Sequence, residues 1–162
     1  MSESLQINTI SKKESYETLL PQIHSLIAGE GNLIANLANI CSAIQMTFDH
    51  LWTGFYLVEK NQLVLGPFQG PIACTRIPMG KGVCGTAWNN QQTVIVKNVN
   101  EFEGHIACSS DSVSEIVVPL FDLKNQIIGV LDIDSIHEGM FDKIDQQYLE
   151  ELCGMITKNL DC

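Results

Sequence analysis

Two extended runs joined by a polar turn occupy residues 115–134, EIVVPLFDLKNQIIGVLDID. The runs Glu115–Leu123 and Gln126–Asp134 are rich in aliphatic and β-branched residues, and Lys124 and Asn125 separate them. Short runs of this composition on either side of a polar turn are typical of an antiparallel hairpin. This hairpin is the segment from which we derive the fold.

The second run of the hairpin alternates between apolar and acidic residues. Because successive side chains of a strand point to opposite faces, Leu131 and Ile133 share one face, and Asp132 and Asp134 share the other. Glu115 opens the neighbouring strand, so we expect all three acids to reach one region. Asp132 and Asp134 alone would also suit the solvent face of an antiparallel sheet.

Segments on both sides of this hairpin show helical or strand periodicity. We predict a helix opened by an N-cap at Ser11 with Glu14, kinked or broken at Pro21 and running to about Ala28. The other predicted segments are a helix over 32–49, a strand over 52–58, a turn at Asn61-Gln62, a strand over 62–66, irregular chain over 66–78, a short helix over 83–89, a strand over 93–99, a polar loop over 100–114 and a helix over 142–159.

Helices at both ends of a hairpin-rich middle predict an α+β fold. We expect one mostly antiparallel sheet, with helices packed on one face and a loop-roofed pocket on the other. The 162 residues suit a single domain over 1–162, in which residues 1–10 form a polar lead-in.

Composition excludes several classes of partner. The chain has 19 acidic and 9 basic residues, a formal net charge of -10, which opposes binding to nucleic acid or to an anionic membrane. We find neither an apolar run long enough to span a membrane nor a secretory signal, and we expect a cytoplasmic protein. Because thiols stay reduced in that compartment, the six cysteines need a role other than a structural disulfide framework.

Cys74, Cys84 and Cys108 lie in or beside loop-rich segments, whereas Cys41 and Cys153 fall within helices and Cys162 ends the chain. A zinc site with His105 as fourth ligand is disfavoured by the spacing, so we predict no metal and favour redox chemistry. Cys84 lies in the first turn of the short helix, where the helix dipole lowers a thiol pKa, and Cys108 lies three residues after His105, a candidate cationic neighbour. Both are therefore candidates for the attacking thiolate. The local sequence does not choose between them.

Trp52, Gly54 and Tyr56 share one face of their strand. Large rings on either side of a glycine suggest a notch for a methyl or cationic group. Core packing is the other explanation for such a pair.

A longer pattern resembles the free methionine-(R)-sulfoxide reductases, a family of single GAF-type domains. The matching segments are GPFQGPIACTRIPMGKGVCGTAW over 66–88, GHIAC over 104–108, SEIVVP over 114–119 and GVLDIDS over 129–135. The resemblance covers about residues 12–160, with conservative departures such as Met79 and Lys81.

The resemblance implies a GAF fold, free methionine-R-sulfoxide as substrate, no cofactor, thioredoxin as external reductant and a part in the oxidative stress response. It further implies residue roles: Cys108 as nucleophile, Cys74 as resolving cysteine, Cys84 as accessory cysteine, Trp52 and Tyr56 around the substrate methyl, and Glu115, Asp132 and Asp134 facing the ammonium and the sulfoxide. A non-enzymatic GAF sensor of small ligands or oxidants is the alternative function. The sequence leaves open whether the chain forms a homodimer.

Overall fold

The computed structural model describes residues 4–5 and 11–160 of the chain. Cys162 and most of the polar lead-in over 1–10 lie outside the described residues. The elements of the described part are α1 (Lys12–Ile27), α2 (Leu33–Phe48), β1 (Trp52–Glu59), β2 (Gln62–Gln69), β3 (Arg76–Pro78), α3 (Gly82–Asn90), β4 (Val94–Val96), a 3-10 turn at Val99–Glu101, β5 (Ser114–Phe121), β6 (Ile127–Ser135) and α4 (Lys143–Asn159). No helix among these residues has the length and apolarity needed to cross a membrane.

The six strands form one sheet in the order β3-β2-β1-β6-β5-β4, and each neighbouring pair is antiparallel. The hairpin from which the fold was derived supplies β5 and β6, and β6 pairs with β1 to join the two hairpins at the centre of the sheet. The predicted α+β fold with an antiparallel sheet is confirmed.

One face of the sheet carries the helical layer. Helices α2 and α4 pack on the strands, and α1 packs against both of these helices. The buried core on this side includes Phe55 of β1 and Leu131 and Ile133 of β6. Leu131 and Ile133 therefore lie on the core face, as their alternation predicts.

The helix ends follow from local capping. Ser11 and Glu14 form the predicted capping box of α1, and Asp142 and Asp145 form an equivalent box at α4. These reciprocal bonds satisfy backbone N–H groups that have no acceptor within the helix. Of the kink or break predicted at Pro21, the break is wrong, because α1 continues through this residue, and the kink stays a prediction.

The other face of the sheet carries α3, which contacts β3, β4, β5 and β6. A second buried cluster lies here, built around Trp52, Tyr56, Val83, Val117 and Val130. Three helices thus share one face as predicted, and the short α3 is the exception. This exception places the start of α3 beside the acids of β5 and β6.

Two stretches differ from the predicted structure. The segment predicted to be irregular from Gly66 instead continues β2 to Gln69, and β3 follows at Arg76–Pro78. Gly66 and Pro67 lie opposite Phe55 where the register of β1 and β2 shifts, so these residues form a bulge and do not end the strand. The predicted strand over 93–99 is shorter, because only Val94–Val96 pairs with β5. The turn between β1 and β2 was predicted at Asn61-Gln62, and it occurs one residue earlier, at Lys60-Asn61.

Candidate active site

The floor of the site is formed by three neighbouring strands. In the register of the sheet Asp134 pairs with both Trp52 and Glu115, and Asp132 pairs with Gly54. Directly opposed residues have Cβ atoms about 5 Å apart. The acids that the sequence predicted to reach one region therefore do so, beside the aromatic residues of β1.

The three carboxyl groups lie in a poorly solvated environment. Glu115 and Asp132 are each only 6% exposed. Burial raises the pKa of both well above its usual range, and repulsion from the other acids of the group raises it further. Burial also raises the pKa of Asp134 to about 6, although Ser112 Oγ donates a hydrogen bond to this carboxylate. At neutral pH at least one of these carboxyls is therefore protonated.

One acid oxygen in this group has no protein partner. Asp132 Oδ1 is buried and accepts no hydrogen bond in the described structure. An unpaired buried acceptor is costly, and most are satisfied by a ligand or by water. This oxygen is therefore positioned to accept from a donor that enters the pocket.

Cys84 lies among these acids, 3.9 Å from Glu115 Oε1. Its position in the first turn of α3 had suggested a lowered thiol pKa. The structure contradicts this, because complete burial raises the pKa of Cys84 well above its usual range and the charges of Asp132 and Glu115 raise it further. Desolvation and like charge outweigh the dipole of so short a helix.

His105 also faces the acids. Its Nε2 lies 3.8 Å from Glu115 Oε2, and partial burial lowers the pKa of the imidazole. At neutral pH the ring is mostly uncharged, so His105 does not supply the cation that was considered for Cys108.

Cys84, Glu115 and Asp132 place one potential metal-ligand atom each within 4.8 Å of one another. This set differs from the three cysteines and His105 considered from the sequence. Two of those cysteines are joined to each other in the structure and cannot serve as thiolate ligands in that state. The absence of a metal cofactor stays a prediction.

A disulfide joins Cys74 and Cys108, whose Cα atoms are 5.4 Å apart and which are 34 positions apart in the sequence. The bond connects the loop between β2 and β3 to the loop that precedes β5. Cys108 lines the pocket above the acids, and Cys74 is absent from the lining. Cys74 instead packs against the buried cluster that contains Trp52 and Tyr56.

Trp52 and Tyr56 hold the loop that carries Cys74. Trp52 Nε1 donates to the carbonyl oxygen of Pro71 at 3.1 Å, and Tyr56 Oη donates to the carbonyl oxygen of Cys74 at 2.9 Å. Because both side chains are buried, these bonds fix the path of the loop over the sheet. This role was not predicted from the sequence.

The predicted notch at Gly54 is filled. A Cβ atom on Gly54 would overlap the Trp52 ring, which lies across this residue. Trp52 stacks on Tyr56 with ring centroids 5.8 Å apart and on Phe68 at 5.4 Å. Glycine is required here so that the tryptophan can lie flat. Phe68 was missed because its segment was assigned to irregular chain, and it pairs with Gly54 only because the bulge at Gly66 and Pro67 shifts the register.

These elements enclose a pocket of about 550 Å³, including its opening to solvent. The lining that surrounds the acids, Cys84 and Cys108 comprises Leu51, Trp52, Tyr56, Pro71, Ile72, Ala73, Ile77, Lys81, Gly82, Val83, His105, Ile106, Ser109 and Ser112. The site can thus hold a small molecule against a cysteine sulfur and an acidic floor.

The fold and the site together define a GAF-type domain with a cysteine pair at the mouth of an acidic pocket. The GAF domain family model matches residues 35–161. The free methionine-R-sulfoxide reductase of Escherichia coli is 49% identical over 93% of this chain and 92% of its own length. GAF domain-containing protein A of Dictyostelium discoideum is 57% identical over 96% of this chain and 99% of its own.

A solved structure extends this similarity to three dimensions. The free methionine-R-sulfoxide reductase of Neisseria meningitidis, in complex with its substrate, has a TM-score of 0.95 and 49% identity, covering 98% of this chain and 95% of that chain. This chain therefore belongs to the GAF domain family and, within it, to the free methionine-R-sulfoxide reductases. The family resemblance found in the sequence is confirmed.

Proposed function

We propose that this protein reduces free L-methionine-(R)-sulfoxide to methionine through a sulfenic acid on Cys108. The observation that carries the proposal is a disulfide with one half, Cys108, lining a pocket whose floor is formed by the buried Glu115 and Asp132 and the half-buried Asp134. The named activity of the relatives in Escherichia coli and Neisseria meningitidis supports the same substrate.

The pocket offers a separate environment for each part of the substrate. The acids, with the unpaired Asp132 Oδ1, suit the ammonium group. The stacked rings of Trp52 and Tyr56 suit the methyl group on sulfur. The first backbone N–H groups of α3 have no acceptor within the helix, and the cap residue Lys81 makes no side-chain bond to them, so this end suits the carboxylate.

The cycle begins when the Cys108 thiolate attacks the sulfoxide sulfur while a protonated carboxyl of the floor gives its proton to the sulfoxide oxygen. Methionine leaves, and the oxygen stays on Cys108 as a sulfenic acid. The Cys74 thiol then attacks this sulfur, so the disulfide forms and water leaves. A dithiol of the thioredoxin type then exchanges with this disulfide, so the external dithiol becomes oxidised and Cys74 and Cys108 return to thiols.

The raised pKa values of the acids serve this chemistry. Protonated carboxyls beside Cys108 oppose thiolate formation less than ionised ones, and they also supply the proton that the oxygen requires. The ammonium of the substrate offsets the charge that remains. Substrate binding is therefore expected to ease ionisation of the attacking thiol.

Selectivity for the free amino acid follows from the same floor. A methionine sulfoxide within a polypeptide lacks the ammonium group, and it would bury the acids without a partner. Leaving buried charged groups unpaired costs several kcal/mol, so blocked substrates should be poor.

We test the function by mixing the protein with dithiothreitol and racemic methionine sulfoxide and measuring methionine. The expected result is many turnovers per protein, an end point at half conversion, and loss of activity in Cys108→Ser. N-acetylmethionine sulfoxide amide should react far more slowly. A non-enzymatic sensor would release no more than one methionine per protein, and this outcome would refute the proposal.

The cellular setting is part of the proposal. A disulfide that is reduced in every cycle requires a compartment that maintains reducing dithiols, so we place the protein in the cytoplasm with thioredoxin as its partner. We propose no nucleic-acid or membrane partner, in keeping with the net charge of -10. A homodimer stays an expectation, to be measured by light scattering.

A further inference from the structure

The ring of Trp52 is confined along both of its edges. At one edge Nε1 donates to the carbonyl oxygen of Pro71, and a Cβ on Gly70 would lie 2.8 Å from Cδ1. At the other edge a Cβ on Gly54 would lie 2.3 Å from Cη2. Because neighbouring backbone determines where both edges lie, the ring can move mainly by tilting about the line that joins them.

Two aromatic rings lie against Trp52 and limit this tilt. The planes of Trp52 and Tyr56 are 26° apart, and the planes of Trp52 and Phe68 are 17° apart. Among the described residues, the pocket lining includes Trp52 and Tyr56 but not Phe68. Phe68 therefore contacts a wall of the pocket without contacting its interior.

Two irregular features of the sheet place Phe68 against Trp52. The register of β1 and β2 shifts between Gly54 and Tyr56, and this shift pairs Phe68 with Gly54. A Cβ on Gly54 would lie 2.5 Å from Cβ of Phe68, so glycine is needed here to leave room for both rings. A bulge and an interior glycine both weaken a strand. Since Phe68 is only half-buried, its burial adds little to the core that would offset them.

We propose that Phe68 is a positioning residue that makes the site selective for an S-methyl group, by holding the Trp52 ring at a fixed tilt beside that methyl. This inference rests on the proposed function for the substrate and for the position of its methyl group. It deepens that function by naming the residue that supports the wall and so limits the size of the alkyl group on sulfur.

The selectivity follows from the stiffness of this wall. An ethyl group in place of the methyl needs room for one more carbon atom, and the Trp52 ring can provide this room only by tilting toward Phe68. A close-packed wall resists the displacement, because added volume forces side chains out of their preferred rotamers. Without the ring of Phe68, Trp52 can tilt away and the longer alkyl group fits.

The test compares the reduction of methionine-R-sulfoxide and ethionine-R-sulfoxide with dithiothreitol as reductant. The parent should prefer the methyl compound in kcat/KM by about tenfold or more, which is the usual effect of one methylene in a tight pocket. Phe68→Leu should lower this preference about fivefold, as expected for the loss of one ring–ring contact. Phe68→Met should also lower it, whereas Phe68→Tyr keeps the ring and should retain the parent value.

The ratio of the two kcat/KM values is the readout, because it does not depend on the fraction of folded protein. Phe102→Leu is the matched control, since Phe102 is a partly buried phenylalanine that packs on the same cluster and lies outside the pocket lining. This variant should lower the free energy of unfolding and leave the ratio unchanged. An unchanged ratio in Phe68→Leu, or in Phe68→Met if the leucine variant does not fold, would overturn the proposal, and so would an equal change in Phe102→Leu.

A binding measurement separates this inference from the proposed function. Methionine and ethionine are titrated by calorimetry into protein that carries the Cys74–Cys108 disulfide, so no turnover is needed. The parent should bind methionine more tightly than ethionine, and Phe68→Leu should narrow this difference. A parent that reduced neither sulfoxide would show the proposed function to be wrong, whereas an unchanged difference in affinity would show the role of Phe68 to be wrong.

Discussion

Tyr56→Phe tests whether the hydroxyl of Tyr56 positions Cys74 for its proposed role as resolving cysteine. This hydroxyl donates to the carbonyl oxygen of Cys74 at 2.9 Å, while the ring stacks on Trp52. The substitution keeps the ring that faces the position proposed for the substrate methyl, and it removes one of the bonds that hold the Cys74 loop. We therefore expect the second chemical step, disulfide formation, to slow more than the first.

The magnitude follows from the value of one hydrogen bond. A single intramolecular hydrogen bond contributes about 0.5–1.5 kcal/mol, which corresponds to about a 2- to 13-fold change in an equilibrium or a rate. Trp52 still holds Pro71, and the backbone N–H of Leu65 still bonds Thr75, so the loop keeps its general path. A decrease toward the lower end of this range is expected for disulfide formation.

The assay is a single turnover. Reduced enzyme is mixed with one equivalent of methionine-R-sulfoxide and quenched at intervals, and both methionine and free thiols are measured. In Tyr56→Phe the methionine should appear at nearly the parent rate while the thiols disappear more slowly. The sulfenic acid should also be trapped by dimedone in a larger fraction of the molecules.

Tyr16→Phe is the matched control. Tyr16 is a buried tyrosine of α1 whose hydroxyl donates to Asp145 Oδ1 at 2.8 Å, far along the chain from the site. This variant should lower the free energy of unfolding and leave both chemical steps unchanged. If Tyr56→Phe slowed methionine release and thiol loss equally, or changed neither, the positioning role would be wrong.

Three further results are expected. Cys74→Ser should lower turnover with dithiothreitol more than Cys84→Ser does. Cys84 is a poor replacement for Cys74, because burial raises the pKa of its thiol. Mass mapping of the disulfides identifies any bond that Cys84 forms in place of Cys74. In urea titrations, the parent should lose about 2 kcal/mol more unfolding free energy than Asp134→Asn between pH 4 and pH 7, because the folded pKa of about 6 lies above the ordinary value of 3.8 and stability falls as pH rises between these two values. Parallel curves would contradict this. Binding of a non-reducible methionine analogue should lower the pKa of Cys108, measured by the pH dependence of alkylation, and a constant or higher pKa would refute the charge argument.

Most of the elements follow from local signals in the sequence. The capping box at Ser11 and the alternation of Leu131 with the aspartates are determined by neighbours along the chain, so the sequence suffices to predict them. Gly66-Pro67 misled the prediction, because the same residues that end a strand also form a bulge within one. Only the pairing with β1 distinguishes these outcomes.

The site is less predictable, because its properties depend on packing between distant elements. The grouping of Glu115 with Asp132 and Asp134 follows from alternation within one hairpin. The enclosure of Cys84 by these acids depends instead on how α3 rests against β5 and β6, which no local pattern specifies. The pairing of Cys74 with Cys108 was available only from the family resemblance.

The two faces of the sheet have opposite requirements. On the helical face, apolar side chains such as Phe55, Leu131 and Ile133 are completely buried. On the other face the same strands hold three carboxyls whose burial disfavours their charged forms. Because a strand reverses its side chains at every residue, each acid of β6 has an apolar neighbour anchored in the core, and so the acids are held in place from behind.

Trp52 and Tyr56 connect the proposed substrate position to the loop that carries Cys74. The rings of Trp52 and Tyr56 face the position proposed for the substrate methyl, and their polar atoms hold the carbonyls of Pro71 and Cys74. A change in either ring is therefore expected to affect both the proposed substrate position and Cys74. Substitutions that keep the rings and remove only their donors are the ones that can separate substrate binding from the closure of the disulfide.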